Sequence, residues 1–136
     1  MTDDDKAAKR PDESRGKAGP DDGPAFACLI ARALRDEKAE DVGVLDVRGL
    51  TDVTDFLVIA TSMSERQLKS LAQLAEDTIE GAGRTLIGNE GDRSSGWIVV
   101  DTGDVVTHLL TRAMREYYDL NGLWADAPVV DIETAD

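Results

Sequence analysis

Apolar side chains recur at helical spacing in two stretches of the chain. Phe26, Leu29, Ile30, Ala33 and Leu34 predict a first helix, with Pro24 suited to its opening turn. Leu68, Leu71, Ala72, Ala75 and Ile79 predict a second and longer one. Its start carries a capping-box pattern, Ser64-Glu65-Arg66-Gln67, and Gly81 and Gly83 supply its stop. Short runs rich in β-branched residues predict buried strands at 42–47, 56–61, 85–87 and 97–100. Val105-Val106-Thr107-His108-Leu109-Leu110 fits a fifth strand or a helix capped by Asp104, and its β-branched start favours the strand. Helical spacing returns at Ala113, Met114 and Tyr117. The alternation predicts an α/β domain around a mixed, five-stranded sheet flanked by helices.

The same pattern sets the limits of the folded unit. Residues 1–24 combine prolines, glycines and dense charge with no large apolar side chain after Met1, so they read as a disordered charged tail. The folded domain is expected over 25–124. A short acidic carboxy-terminal tail is expected over 125–136. The polar stretch from Gly88 to Gly96 reads as a flexible connector.

Charge narrows the partners. Twenty-eight Asp and Glu against fifteen Lys and Arg give a formal net charge of -13. Such a field repels nucleic-acid phosphates and anionic membranes and speeds encounter with a basic protein surface. Direct sequence-specific nucleic-acid binding is therefore not expected. No apolar run approaches the roughly 20 residues of a membrane span, and the opening Met1-Thr2-Asp3-Asp4-Asp5-Lys6 lacks an apolar signal core. The expected location is the cytoplasm.

Catalytic chemistry finds little to work with. One histidine and one cysteine, His108 and Cys28, are too few and too far apart for a zinc site, and no serine sits in a Gly-x-Ser-x-Gly elbow. Gly88, Gly91 and Gly96 lack the Gly-Lys-Ser/Thr ending and the Gly-x-Gly-x-x-Gly spacing of phosphate loops. Asp101-Thr102-Gly103-Asp104 reads first as a turn and second as a magnesium ligand pair. His108 has two readings, a polar position on a strand face and a partner contact. No cofactor, metal or catalytic residue is expected.

Several separated motifs carry a family resemblance. Residues 39–50, Ala-Glu-Asp-Val-Gly-Val-Leu-Asp-Val-Arg-Gly-Leu, are followed by Thr54-Asp55-Phe56-Leu57-Val58-Ile59-Ala60, Ser64-Glu65-Arg66-Gln67 and Trp97-Ile98-Val99-Val100-Asp101. Gly103-Asp104-Val105-Val106-Thr107-His108 and Glu116-Tyr117-Tyr118-Asp119-Leu120 through Leu123-Trp124 complete the series. In this order they resemble the ribosomal silencing factor, or Iojap-like, family over about residues 25–128. The resemblance implies a nucleotidyltransferase-like fold without the catalytic motif. The one Asp-x-Asp, Asp3 and Asp5, falls in the expected tail.

It also implies a non-enzymatic factor that binds the large ribosomal subunit at its fourteenth ribosomal protein, blocks joining of the small subunit and lowers translation when nutrients are scarce. Organelle relatives imply an alternative role in large-subunit assembly, and the fold a more distant one as a nucleotidyltransferase-like enzyme. By match to the family's motifs, Trp97, Asp101, Asp104, His108, Glu116 and Tyr117 are the expected docking residues. Trp97, Tyr117, Tyr118 and Trp124 are the available aromatic anchors, since aromatics supply most interface hot spots. The resemblance and these aromatics also permit a homodimer.

Overall fold

The computed structural model describes residues 22–92 and 94–133. The expected tail over residues 1–21 therefore lies outside the described residues. Ten elements follow in order: α1 (Asp22–Asp36), β1 (Glu40–Asp46), β2 (Phe56–Ser62), α2 (Glu65–Gly81), β3 (Gly88–Asp92), β4 (Trp97–Asp101), β5 (Val105–Thr111), α3 (Arg112–Tyr117), α4 (Leu120–Leu123) and β6 (Val129–Val130). One mixed sheet runs β3-β4-β5-β2-β1-β6, with β2 and β5 parallel at its centre and every other pairing antiparallel. The α/β class and the mixed sheet are as expected, but the sheet has six strands rather than five.

Alternation along the central strands sends side chains to two different layers. Phe56, Val58 and Ala60 of β2 join Val105 and Leu109 of β5 beneath α1 and α2, in a cluster with Ile30, Leu34, Leu68, Leu71 and Ile79. Leu57, Ile59, Val106 and Leu110 point the other way and meet Leu120, Ala127, Met114 and Trp124. Strand β2 is buried along its whole length because both of its faces are covered.

Helix α2 follows its sequence closely. The residues it buries are Leu68, Leu71, Ala72, Ala75 and Ile79, the five that share the apolar face. Ser64 Oγ accepts from the Gln67 amide at 3.0 Å, as a cap should, while Gln67 Oε1 accepts from the Met63 amide at 2.6 Å, one residue before the cap. At the other end Gly83 takes φ +76°, Arg84 N donates to Ile79 O at 3.1 Å and Gly83 N to Glu80 O at 3.0 Å. These two bonds form a Schellman stop, which glycine enters without a Cβ penalty. Helix α1 buries Phe26, Ile30 and Leu34, with Cys28 buried as well, but Leu29 is exposed and Ala33 is half-buried.

Three expectations need correction. The third strand is not 85–87 but Gly88–Asp92, inside the stretch read as a flexible connector. Its composition has no strand preference, and pairing decides the matter: Gly88 faces Asp101 and Asp92 faces Trp97 across a hairpin with β4. A Cβ on Gly91, at φ +87°, would stand 2.1 Å from the Trp97 carbonyl oxygen, so the close approach requires glycine.

The second correction concerns the end of the chain. The acidic stretch from 125, expected as a tail, holds β6 against β1, with Val130 opposite Val44 and Asp46 N donating to Pro128 O at 2.9 Å. The chain then reaches the helical layer. Arg32 Nη1 donates to Ile132 O at 2.6 Å, and Arg35 pairs with Glu133. Ala127 is buried and Ile132 packs against the helical core, so apolar residues spaced too sparsely to signal a strand still fasten the segment. The folded unit also begins earlier than residue 25, since α1 opens at Asp22.

Candidate protein-interaction surface

Among the described residues, the sheet face opposite α1 and α2 is roofed by the short helices α3 and α4 and the segment that follows them. Pleating places Trp97, Val99 and Asp101 of β4 on this face, each half-buried, while Ile98 and Val100 turn into the helical core. On β5, His108 lies directly across from Val99 in the antiparallel register. The neighbouring strand thus brings a histidine beside a tryptophan eleven residues away in sequence.

Trp97 Nε1–H donates to His108 Nδ1 at 3.1 Å, and the two rings lie 5.8 Å apart at 55°. An indole nitrogen only donates, so His108 Nδ1 must accept, which selects the neutral imidazole protonated at Nε2. Burial pushes the His108 pKa below its ordinary value, and the negative charge of Asp101 offsets part of that shift. Geometry and electrostatics agree on an uncharged histidine.

The aromatic contact continues onto α3. Tyr118, at the helix's carboxy-terminal cap, lies 4.8 Å from the Trp97 ring at 49°, and Tyr117 meets Tyr118 edge-on at 4.7 Å. Tilted and edge-on pairs at these separations are favourable arrangements of ring quadrupoles. The four rings form one chain, His108, Trp97, Tyr118, Tyr117, running from a half-buried base to a tip: Tyr117 is 77% exposed and Tyr118 41%. Leu123 of α4 is also 71% exposed.

Of the residues expected to form a docking surface, Trp97, His108 and Tyr117 are brought together, and Asp101 shares their face closely enough for His108 to feel its charge. Glu116 is exposed on α3. Asp104 stands apart. Its carboxylate accepts from Arg84 at 3.0 Å and lies 3.0 Å from the Thr102 hydroxyl, while the Arg84 guanidinium stacks over Phe26 of α1 at 4.1 Å. Its carbonyl accepts from the amides of Asp55 and Phe56, so the residue braces the β4–β5 turn against the helical layer. Asp101 Oδ1 accepts from Gly103 N at 2.7 Å with Gly103 at φ +93°, which is the geometry of the turn reading.

Tyr118 is the member of the chain that the docking set omitted. It sits one residue beyond Tyr117, off the helical spacing that singled out Ala113, Met114 and Tyr117, and only the end of the helix turns it onto Trp97. Among the described residues no group of three or more His, Cys, Asp and Glu side chains is placed to hold a metal ion, and no helix is long and apolar enough to cross a membrane.

The class of protein these observations define is a mixed α/β fold, one sheet face packed under helices and the other carrying a half-open aromatic ridge. Comparison with known proteins makes the assignment specific: residues 20–136 match the family described as ribosomal silencing factor during starvation, and the chain belongs to that family. The chain is 41% identical to the ribosomal silencing factor of Chromobacterium violaceum over 96 residues, covering 71% of this chain and 79% of that one. It is 35% identical to that of Bacillus subtilis over 105 residues, covering 77% and 89%. A crystal structure of a Chromobacterium violaceum protein superposes with a TM-score of 0.70 at 39% identity, covering 74% of this chain and 83% of that one. One from Bacillus halodurans gives 0.66 at 33% identity, covering 76% and 93%.

Proposed function

We propose that this protein binds the large ribosomal subunit through its fourteenth ribosomal protein, without catalysing a reaction, and so blocks association with the small subunit and represses translation in nutrient limitation. Family membership supports the ribosomal part of this reading. The observation that carries the rest is the aromatic chain His108, Trp97, Tyr118, Tyr117, whose exposed tip rises from a rigid sheet. Large aromatic side chains anchored at one end and open at the other are what interface hot spots are made of.

The carboxylates of Asp101 and Glu116 give this surface an acidic setting suited to Lys and Arg on a ribosomal protein. The net charge of -13 repels the surrounding RNA, so attraction is confined to the protein patch. The contact is therefore compact, and it is separate from the position of Asp104. A docked domain of this size on the joining face excludes the small subunit by occupancy, with no chemistry required. The same reading places the protein in the cytoplasm.

Sedimentation of purified large and small subunits with this protein tests the reading. Wild type is expected to travel with large subunits and to lower the yield of joined ribosomes. Tyr117→Ala, which removes an exposed ring and little packing, is expected to weaken binding about tenfold or more. Joining that proceeds unchanged at saturating protein would overturn the reading.

A further inference from the structure

Helix α3 carries Tyr117 and delivers Tyr118, yet it has six residues and none of them is buried. A helix this short does not hold itself together. Its place on the sheet must come from specific contacts, and those contacts decide where the tyrosines point.

At the amino-terminal end, Thr111 Oγ1 accepts from Met114 N at 3.4 Å, and Met114 rests against the apolar cluster of the open face. The side of α3 that faces β1 is held by two arginines. Arg115 Nη1 donates to the Asp41 carbonyl oxygen at 3.1 Å and to Thr61 Oγ1 at 2.7 Å. Arg112 donates from Nη1 to the Asp41 carboxylate at 3.2 Å and from Nη2 to Glu40. Residues three apart share a helix face, so one side of α3 is fastened along its length.

The acceptor site is irregular. Between Glu40 and Gly43 the β1–β2 register shifts, and Asp41 takes φ +49°. Bulges redirect the groups they carry, and this one offers both the carbonyl and the carboxylate of a single residue to the two arginines. Thr61 is fully buried on β2, the strand next to it. Exposed ion pairs are ordinarily of small consequence. Arg115 differs from them, being half-buried and bound to a carbonyl and a buried hydroxyl. Burial pulls its guanidinium pKa below the ordinary value, with Asp41 opposing that shift and Arg112 adding to it.

We propose that Arg112 and Arg115 are positioning residues for the docking surface: they fasten α3 to the β1 bulge, so that Tyr118 stacks on Trp97 and Tyr117 is presented in one arrangement. The proposal rests on the reading that the aromatic ridge docks on the large subunit. In this proposal the two arginines act by placing the tyrosines. They remove the ordering cost that a free helix would otherwise meet at the moment of binding.

The test uses the full chain, with Arg115→Ala, Arg115→Lys, Arg112→Glu, and Arg112→Glu combined with Glu40→Arg. Three readouts are taken: the urea midpoint, the NMR resonance of the Trp97 indole proton, which is sensitive to the Tyr118 ring beside it, and affinity for large subunits. Arg115→Ala is expected to shift the indole resonance and weaken subunit binding about tenfold, as for loss of a charge-assisted bond. Arg115→Lys should recover part of both. Arg112→Glu should weaken binding about threefold, and the exchanged pair should restore it.

An unmoved indole resonance in Arg115→Ala, with wild-type affinity, would overturn the proposal. If Arg115→Ala lowers the urea midpoint substantially, the exchanged pair decides, because restoration by reversed charge requires the contact itself. If wild type fails to bind subunits at all, the functional reading falls, and the indole resonance still decides whether the arginines position the tyrosines.

Discussion

The two faces of the sheet are built to different standards. Twenty buried apolar residues of the described chain fill the layer under α1 and α2, whereas eight are buried on the opposite face, where Trp97, Val99, Met114 and Trp124 are only partly covered. On the first face two long amphipathic helices lock whole apolar stripes into the strands. On the second, short helices cover the middle and leave the β4 side open. Stability resides mainly in the first layer, and the second leaves aromatic and apolar side chains partly uncovered. The difference teaches where to expect a mutation to unfold the protein and where to expect it to spare the fold and change binding.

Leu71→Ala is the strongest way to expose that contrast. It empties a fully buried site between α2 and the sheet, and urea unfolding should show a loss of about 2–5 kcal/mol. Folded Leu71→Ala protein should retain wild-type affinity for large subunits. A selective loss of affinity would break the division of labour between the faces.

Asp104→Ala comes next. The carboxylate is 22% exposed and bound to Arg84, so its removal should cost about 1.5–3 kcal/mol in the same unfolding measurement. Because Asp104 braces the helical layer, subunit binding by the folded variant should be unchanged. This outcome would sharpen the comparison by moving Asp104 out of the docking set.

Trp97→Phe keeps a ring on the open face but removes the indole N–H that His108 accepts. Urea unfolding should register a loss of about 1 kcal/mol. Subunit affinity should fall by more than that change in stability accounts for. Equal losses in the two measurements would mean that Trp97 is merely core.

The smallest effect is a pH dependence. Burial holds the folded-state pKa of His108 below its unfolded value, so within that interval the unfolded chain binds a proton that the native chain excludes. The stabilising contribution is complete above the unfolded value of about 6.5 and declines as pH falls through it, levelling off below the folded value. Urea midpoints measured from pH 7.5 downward should fall in wild type and fall less in His108→Gln. A steeper decline in the variant would contradict the neutral, indole-bound histidine.

Sequence pattern anticipated these two faces unequally. The α2 stripe and its caps were legible because helix period, Ser64 and Gly83 are local signals that agree with one another. Strand β5 was legible from its β-branched start despite the competing helix. Strand β3 was not, since Gly88-Asn89-Glu90-Gly91-Asp92 becomes a strand only through its partner β4. Strand β6 escaped for the same reason, being two residues whose place is assigned by β1. The docking set divided along similar lines. Motif order pointed to Trp97, His108 and Tyr117, but only strand register puts the first two side by side, and only the end of α3 recruits Tyr118. Asp104 belonged to the same run of residues and faces other work, because a turn separates neighbours in sequence.

The carboxy-terminal strap has a consequence for how the chain comes into being. Arg32 meets Ile132 and Arg35 meets Glu133, contacts 100 and 98 residues apart, so the first helix is clasped by residues made long after it. Contacts of such long range form late in folding. During synthesis α1, β1 and β2 leave the ribosome well before β5 can pair with β2 or β6 can cover β1. The clasp on the first helix thus cannot close until synthesis has passed Glu133.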